Sequence, residues 1–259
     1  MMSRAFIFLY PLNLYGFDLL KISDQTKTRL METKNAKKVK VLENGPYQVT
    51  GSIALNQLRF VPDRDRASTS YEIVRTFPVE ETYHLCRCGR SKNKPFCDGT
   101  HLEGFYGKET ASHQTYEQMA EVIEGRHINL LDAESLCAVA RFCDTNGTTW
   151  NLVEESETAD TNEIVIRQCN DCPSGRLTAV TKDGKAIEPE LPQELSILED
   201  IAAEAHGPIW VKGGITIEGA DGRVYPVRNR VTLCRCGKSR NKPFCDARHM
   251  QNQGETESE

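Results

Sequence analysis

No part of this 259-residue chain offers a long, clean apolar run. A helix that spans a bilayer needs about 20 predominantly apolar residues, whereas Ala5 to Leu20 is shorter and is broken by Pro11, Asn13, Gly16 and Asp18. Arg4 precedes that stretch, but no small-residue cleavage site follows it, so it does not read as a secretion signal. Residues 1–37 are expected to be an extension, either disordered or upstream of a start at Met31, with no firm membrane association. Excess basic charge is also missing. Lys and Arg number 32 against 37 Asp and Glu, a net charge of -5, and no basic run stands out; phosphate binding needs a positive surface, so a nucleic-acid partner is not expected. Absent too are a Walker loop, a dinucleotide-binding glycine fingerprint, a nucleophile elbow and a catalytic triad. The chain is therefore not expected to be an enzyme acting on an organic substrate. With 39% hydrophobic and 27% charged residues and a mean hydropathy of -0.50, it reads as a soluble protein with small cores.

Cysteine is plentiful by contrast, at ten residues. Six of them fall in a repeated block. Leu85 to His101 reads LCRCGRSKNKPFCDGTH, and Leu233 to His249 reads LCRCGKSRNKPFCDARH, identical at 13 of 17 positions. Each block sets out four soft ligands in the same order: Cys86, Cys88, Cys97 and His101, then Cys234, Cys236, Cys245 and His249. A histidine at fixed spacing, without a secretion signal, favours reduced thiolates binding a metal in a cytoplasmic setting over a disulfide framework.

Each block follows a β-like preamble. Gly45-Pro46 opens a strand expected over Tyr47 to Leu55, with Tyr71 to Val74 and Thr82 to Leu85 as further strands. Gly207-Pro208 opens the counterpart over Ile209 to Ile217, followed by Val224 to Val227 and Val231 to Leu233. The repeat is thus a small β element ending in a ligand loop. Between the copies, Asp132 is a plausible cap for a helix through Ala133, Leu136, Cys137 and Ala140. Thr148 to Val153 reads as a strand, Glu154 to Asn162 as an acidic loop, Cys169 to Gly175 as a turn, and Arg176 to Val180 as a strand before an Asp183-Gly184 turn. Trp150 and Trp210, the two tryptophans, fall in strand-like segments and are expected in cores.

The ligand spacing carries the chemistry. Cys97 and His101, four apart, are expected on one helical turn, with Cys97 near its start, where N–H groups and the dipole favour an anionic metal–thiolate centre. Arg87, Lys92 and Lys94, and likewise Arg235, Arg240 and Lys242, add positive charge. Three thiolates and an imidazole suit either zinc or an iron–sulfur cluster. Cys-x-Cys is tighter than the usual zinc spacing; on an extended strand it puts both sulfurs on one face, where they can hold one iron of a [2Fe–2S] unit while the Cys–His pair holds the other. A zinc-stabilised structural or interaction module remains the alternative. One imidazole in place of a thiolate removes a negative charge, placing the potential between all-Cys sites near -400 mV and two-His sites at roughly -150 to +300 mV. It also makes the site acid-labile, because a protonated imidazole is no ligand. Arg248, beside His249, is expected to disfavour imidazolium and protect the second centre. Cys137, Cys143, Cys169 and Cys172 form a tentative third site, Cys172-Pro173 being similar to a ferredoxin loop.

Taken together, Cys-x-Cys, the Ser, the Lys-Pro-Phe run and Cys97-Asp98-Gly99-Thr100-His101 resemble the CDGSH iron–sulfur, or NEET, family. The second copy departs from the motif at Ala247 and Arg248. The resemblance implies a [2Fe–2S] cluster on three Cys and one His in each block, within a β-cap and cluster-binding unit. In the tandem type both motifs lie in one chain. Cys172 to Leu177 resembles a divergent single-cluster ferredoxin-like segment. The expected fold is mainly β with short helices (α+β): two β-cap units paired about a pseudo-twofold axis, plus a small ferredoxin-like α/β middle segment. The limits are 38–112 for the first unit, 113–203 for the middle, 204–250 for the second and 251–259 for a disordered tail. The implied function is electron transfer or iron–sulfur cluster storage and transfer. Its partners would be a reductase, an electron acceptor or an apo-protein receiving the cluster, with the chain a pseudo-twofold monomer or a homodimer.

Overall fold

The computed structural model describes residues 36–154 and 158–252, so the expectations for the N-terminal extension and most of the tail lie outside it. The first copy runs through β1 (Lys38–Val41), β2 (Tyr47–Thr50), β3 (Leu55–Pro62), β4 (Ser68–Phe77) and β5 (Thr82–Leu85). The middle segment holds α1 (Tyr116–Met119), β6 (Glu121–Glu124), β7 (Ile128–Asp132), α2 (Thr149–Glu154), α3 (Ala159–Asp171) and β8 (Leu177–Thr181). The second copy has β9 (Leu195–Asp200), β10 (Ala205–Lys212), β11 (Thr216–Glu218) and β12 (Arg230–Leu233). The fold is mainly β with short helices, as expected. Among the described residues no helix is long and apolar enough to cross a membrane.

The two copies exchange a strand. One sheet has the order β11-β1-β2-β5, the other β12-β10-β9-β3-β4. Each holds three strands of its own copy and joins the other copy through one parallel pairing: β11 on β1, with Ile217 opposite Val39, and β3, which brings β4 with it, on β9, with Leu55 opposite Leu195. The remaining registers also match, Tyr47 opposite Leu85 in one sheet and Ile209 opposite Leu233 in the other. These paired registers are those of a pseudo-twofold. The expected single strands over 47–55 and 207–217 are each broken by the residues that make the exchange. Gly51 and Ser52 have φ of 91° and 50°, and Gly213 and Gly214 have φ of 72° and 73°. Two successive left-handed residues swing the chain out of one sheet and into the other, a turn that glycine makes at least cost. β9 lies within the span expected for the middle segment, yet it is the sheet partner of β10 and β3.

Between the sheets lies one apolar core, with Val39, Val49 and Leu55 meeting Leu195, Ile197, Ile209 and Val211. β1 and β2 bury alternate residues, as a sheet with one wet face does, whereas β10 and β12 are buried almost throughout. A further cluster explains why. Leu58, Phe60, Leu198 and Trp210 on the second sheet pack against Ala140 and Phe142 of the middle segment, and the Tyr71 ring stacks on both Phe142 and Trp210, with centroids 4.7 and 4.9 Å apart. The middle segment has its own small core of Leu130, Val153, Val165, Cys169, Leu177 and Ala179.

Three expectations for the middle segment fail. Only Glu134–Leu136 forms a short 3-10 turn where a helix through Ala140 was expected, because Val139 and Arg141 are left-handed, at φ 53° and 59°, and cannot continue it. Thr148 to Val153 is helical, not a strand. Its β-branched and aromatic residues are recruited by tertiary partners: the Thr149 hydroxyl donates to Gln168 Oε1 at 2.7 Å, and Trp150 Nε1 donates to Asp132 at 3.0 Å. Trp150 therefore packs from a helix. In place of the latter part of the acidic loop stands α3, capped by the Thr158 side chain, which accepts from Thr161 N.

Candidate metal centres

Each ligand block begins where a strand ends. Cys86 follows β5, and its N–H donates to Pro95 O at 2.8 Å; Cys234 follows β12, and its N–H donates to Pro243 O at 2.8 Å. The loop between is folded back by side chains. Ser91 and Ser239 each donate to the carbonyl of the Phe five residues on, both at 2.7 Å, and the Asp98 and Asp246 carboxylates accept from Lys92 N and Arg240 N at 2.7 and 2.8 Å. Hydrogen bonds from Thr100 and from Lys92 N hold the Asp98 carboxyl well below the usual range. Cys97 N and Cys245 N then donate across to His84 O and Thr232 O, both at 2.9 Å.

This scaffold brings the ligands together in pairs. The sulfurs of Cys86 and Cys88 are 3.8 Å apart, and those of Cys234 and Cys236 are 3.6 Å apart. Cys97 Sγ is 3.2 Å from His101 Nδ1, and Cys245 Sγ is 3.4 Å from His249 Nδ1. Among the described residues no three His, Cys, Asp or Glu side chains converge as a single ion would require. All ten cysteines are free. A hydrogen bond from the Cys236 thiol brings the Cys234 pKa down to about 6, and Cys236 is pushed up correspondingly. One proton shared by two close sulfurs is what such a pair shows before a metal replaces it.

The helical turn expected under the Cys–His pairs is shorter and later than the spacing implied. It is a 3-10 turn at Thr100–Leu102 in the first copy and at Arg248–Asn252 in the second, with Cys97 and Cys245 before it. No helix dipole therefore points at these sulfurs. The expected basic surround also changes character. Arg87 is buried and donates to the carbonyls of Gly45, Gly107 and Leu42, and Arg235 is buried and donates to Gly207 O, Leu198 O and Glu199. Both clamp the start of a β-cap strand. Arg248 does not govern His249 either: it pairs with Asp246 at 3.3 Å. Burial lowers the His249 pKa to about 4, with Arg235 assisting.

Sequence spacing gave no sign of how the two centres meet. A Cβ on Gly89 would lie 2.6 Å from Cys236 O, and one on Gly237 would lie 2.6 Å from Cys88 O. The two ligand loops thus touch backbone to backbone, each using a left-handed glycine (φ 77° and 79°) to let the other approach. Tyr47, fully buried in the first copy, reaches across to donate to Cys234 O at 2.8 Å and Pro243 O at 3.1 Å. The two Cys–His pairs differ in shelter. His249 is 7% exposed and Cys245 is buried, whereas His101 and Cys97 are half-buried. The middle segment supplies cover on the second side, where Asn241 donates to Ser135 O at 3.2 Å and Arg141 grips Asp200 at 2.8 Å.

Of the four middle cysteines, Cys137, Cys143 and Cys172 line one cavity of about 190 Å3. Cys169 lies outside it, fully buried in the apolar core beneath α3.

These features define an iron–sulfur protein with two matched ligand loops. Residues 44–102 and 206–250 match the family described as iron-binding zinc finger, CDGSH type, and residues 123–182 match the divergent 4Fe-4S mono-cluster family. One segment around each ligand block thus matches the CDGSH family, and the segment between them matches a single-cluster, ferredoxin-like family. It is 68% identical over 22 residues to CDGSH iron-sulfur domain-containing protein 3, mitochondrial, of Mus musculus, a match that spans 8% of this chain and 16% of that protein. No solved structure gives a significant match.

Proposed function

We propose that the chain is an electron-transfer protein carrying two [2Fe–2S] clusters, one held by Cys86, Cys88, Cys97 and His101 and the other by Cys234, Cys236, Cys245 and His249. The pairing of the ligands carries this reading. Two thiolates on one tetrahedral metal, each about 2.3 Å from it, lie roughly 3.8 Å apart, the separation found for Cys86–Cys88 at 3.8 Å and approached by Cys234–Cys236 at 3.6 Å. Two thiolates for one metal and a Cys–His pair for another suit a two-iron unit better than one zinc ion. When bound, the cluster supplies a one-electron couple. The chain holds it by four ligands and donates to its sulfurs, as Arg90 N does to Cys88 Sγ and Ala247 N to Cys245 Sγ, both at 3.4 Å. Such donors stabilise added negative charge and raise the potential. The mutual contact of the two loops supports electron exchange within the chain.

The half-buried His101 supports a second role, release of the first cluster to an apo-protein. On this reading the chain is a carrier without an organic substrate, its partners are a reductase and an acceptor or recipient protein, and it works in the cytoplasm. Iron and sulfide quantification, visible absorption and electron paramagnetic resonance (EPR) of the dithionite-reduced protein test the proposal. A red-brown protein with a reduced-state signal that Cys86→Ser and Cys234→Ser each cut by about half is expected. A colourless zinc protein would overturn it.

A further inference from the structure

A second cavity, of about 370 Å3, lies where the middle segment meets the second copy, and no cysteine lines it. One wall comes from α1, β7 and β8, the other from residues 226–230, which lead into β12. Leu131, Val180, Ala186 and Val227 give it an apolar side. Two guanidiniums, Arg228 and Arg230, meet it with one carboxylate, Glu188, beside them. Glu188 is already spent: it pairs with Arg230 and accepts from Asn229 at 2.9 Å and from Thr178 at 3.4 Å. The other acid on the wall, Glu117, is exposed, where water screens it.

Arg228 is therefore left without a counter-ion: among the described residues no carboxylate lies within ion-pair distance of it. It is nevertheless held firmly. Its NH2 donates to Ser174 O and Gly175 O, both at 2.8 Å, and the guanidinium lies 5.1 Å over the Tyr116 ring. The Tyr116 hydroxyl is itself anchored on Leu131 O and Arg176 O, at 3.0 and 2.8 Å. Gly175 is left-handed at φ 58°, and a Cβ on it would lie 2.9 Å from the Arg228 NH2, so glycine is what lets the turn close on the guanidinium. Nε and NH1 have no hydrogen-bond partner among the described residues. Burial, with Arg230 assisting against the Tyr116 phenol, brings the Arg228 pKa down to about 10, so the group stays charged at neutral pH. A fixed cation with no counter-ion is costly to bury and is already organised for a ligand anion.

We propose that this cavity binds a small organic carboxylate, with its anionic group on Arg228 and its apolar body against Leu131, Val180, Ala186 and Val227. The site is independent of what the metal centres hold. Its volume stands at the small end of the range of about 300–1,000 Å3 usual for ligand pockets. An apolar side adjoining the cation favours a carboxylate with a hydrocarbon body over inorganic phosphate, which gains nothing from such a wall.

Calorimetric titration of the full-length protein with benzoate and with isovalerate tests this. Saturable binding of one or both is expected, with a matching rise in the unfolding temperature. Benzamide, the neutral isostere of benzoate, and inorganic phosphate should each bind at least tenfold more weakly. Arg228→Gln is expected to weaken carboxylate binding at least tenfold. Ala186→Leu, which fills the cavity and leaves the guanidinium in place, should do the same while the iron content and visible spectrum stay those of the wild type. If Arg228→Gln does not fold, Ala186→Leu and the benzamide comparison decide. Failure of both carboxylates to bind overturns the proposal, as does binding that survives Ala186→Leu or a folded Arg228→Gln. Benzamide binding as tightly as benzoate overturns the part given to Arg228, and phosphate binding as tightly overturns the ligand class.

Discussion

Where the two motifs differ, the differences are mild in consequence. Gly99 and Ala247 occupy the same place, both left-handed, at φ 90° and 65°, and a Cβ on Gly99 would meet nothing within 4 Å. Gly99→Ala is therefore expected to assemble its cluster normally and to lower stability by only about 1 kcal/mol, as read from thermal unfolding; loss of the first cluster would contradict that. The structural asymmetry lies at the histidines and is one of burial. A histidine ligates only as neutral imidazole, and His249, with its pKa brought down to about 4, keeps that form well below the ordinary value near 6.5. The sign follows from linkage. Between those two values the unfolded chain binds the proton and the folded chain does not, so the stability linked to His249 declines as pH falls through that window. His101 is only half-buried, so solvent reaches it. On acidification the first centre should bleach before the second, followed by visible absorption in Cys86→Ser and Cys234→Ser, each retaining one centre. A reversed order would show that burial does not control release.

At the scale of elements, the glycines between the loops link the two copies. Gly237→Ala drives a Cβ into the Cys88 carbonyl, which belongs to the other centre. The substitution is expected to cost both clusters, not only its own. Gly222→Ala is the control, because Gly222 is left-handed at φ 84° with nothing within 4 Å; it should cost about 1 kcal/mol and leave both clusters. Equal iron content in the two variants would refute the close approach. A second element-scale link joins the middle segment to β12. Arg230, wholly buried, donates to Cys169 O, Cys172 O and Leu177 O and pairs with Glu188. Burial raises the Glu188 pKa, but its hydrogen bond and charge interaction with Arg230 outweigh that and leave it lowered. Its stabilising contribution is thus complete above the unfolded value of about 4.3 and is lost as pH falls through the folded one. Glu188→Gln should destabilise by about 3 kcal/mol at pH 7, with the difference from wild type shrinking in acid unfolding curves.

Most strands before each block and the pairing of the ligands were legible because period-two burial and a 17-residue repeat are local signals; the strand expected over Val224 to Val227 is not formed, Val224 making only an isolated bridge to Glu218. The strand exchange was not, since the kink at Gly51-Ser52 and Gly213-Gly214 looks like an ordinary strand glycine until the partner sheet is seen. Thr149–Glu154 was misread because its helix depends on Gln168 and Asp132, far along the chain. Cys169 and Cys172 stand three apart in sequence, yet one faces a core and the other a cavity, a distinction that follows from the end of α3 and not from spacing.

For the molecule as a whole, the pseudo-twofold places the two ligand loops in backbone contact, and the middle segment covers only one of the paired sheets. Contact between Gly89 and the Cys236 backbone, and between Gly237 and the Cys88 backbone, leaves no layer of side chains between these two turns. Two reduced [2Fe–2S] centres held on such loops are neighbouring unpaired spins and should relax each other. The fully reduced protein is therefore expected to give a reduced-state EPR signal that is broader, and harder to saturate with microwave power, than the sum of the signals from Cys86→Ser and Cys234→Ser. Partial reduction to one electron per chain should restore the narrow form. If the two centres carry electrons as proposed, the shelter of His249 gives the pair a direction: an external partner is expected to meet the half-buried first centre, with the buried second centre exchanging electrons through it. Blocking the surface around His101 by substituting the exposed Leu102 and Tyr106 with lysine should then slow reduction of both centres by a protein donor. If reduction of the second centre kept its rate while the first slowed, each centre would have its own entry and the order of transfer would be wrong.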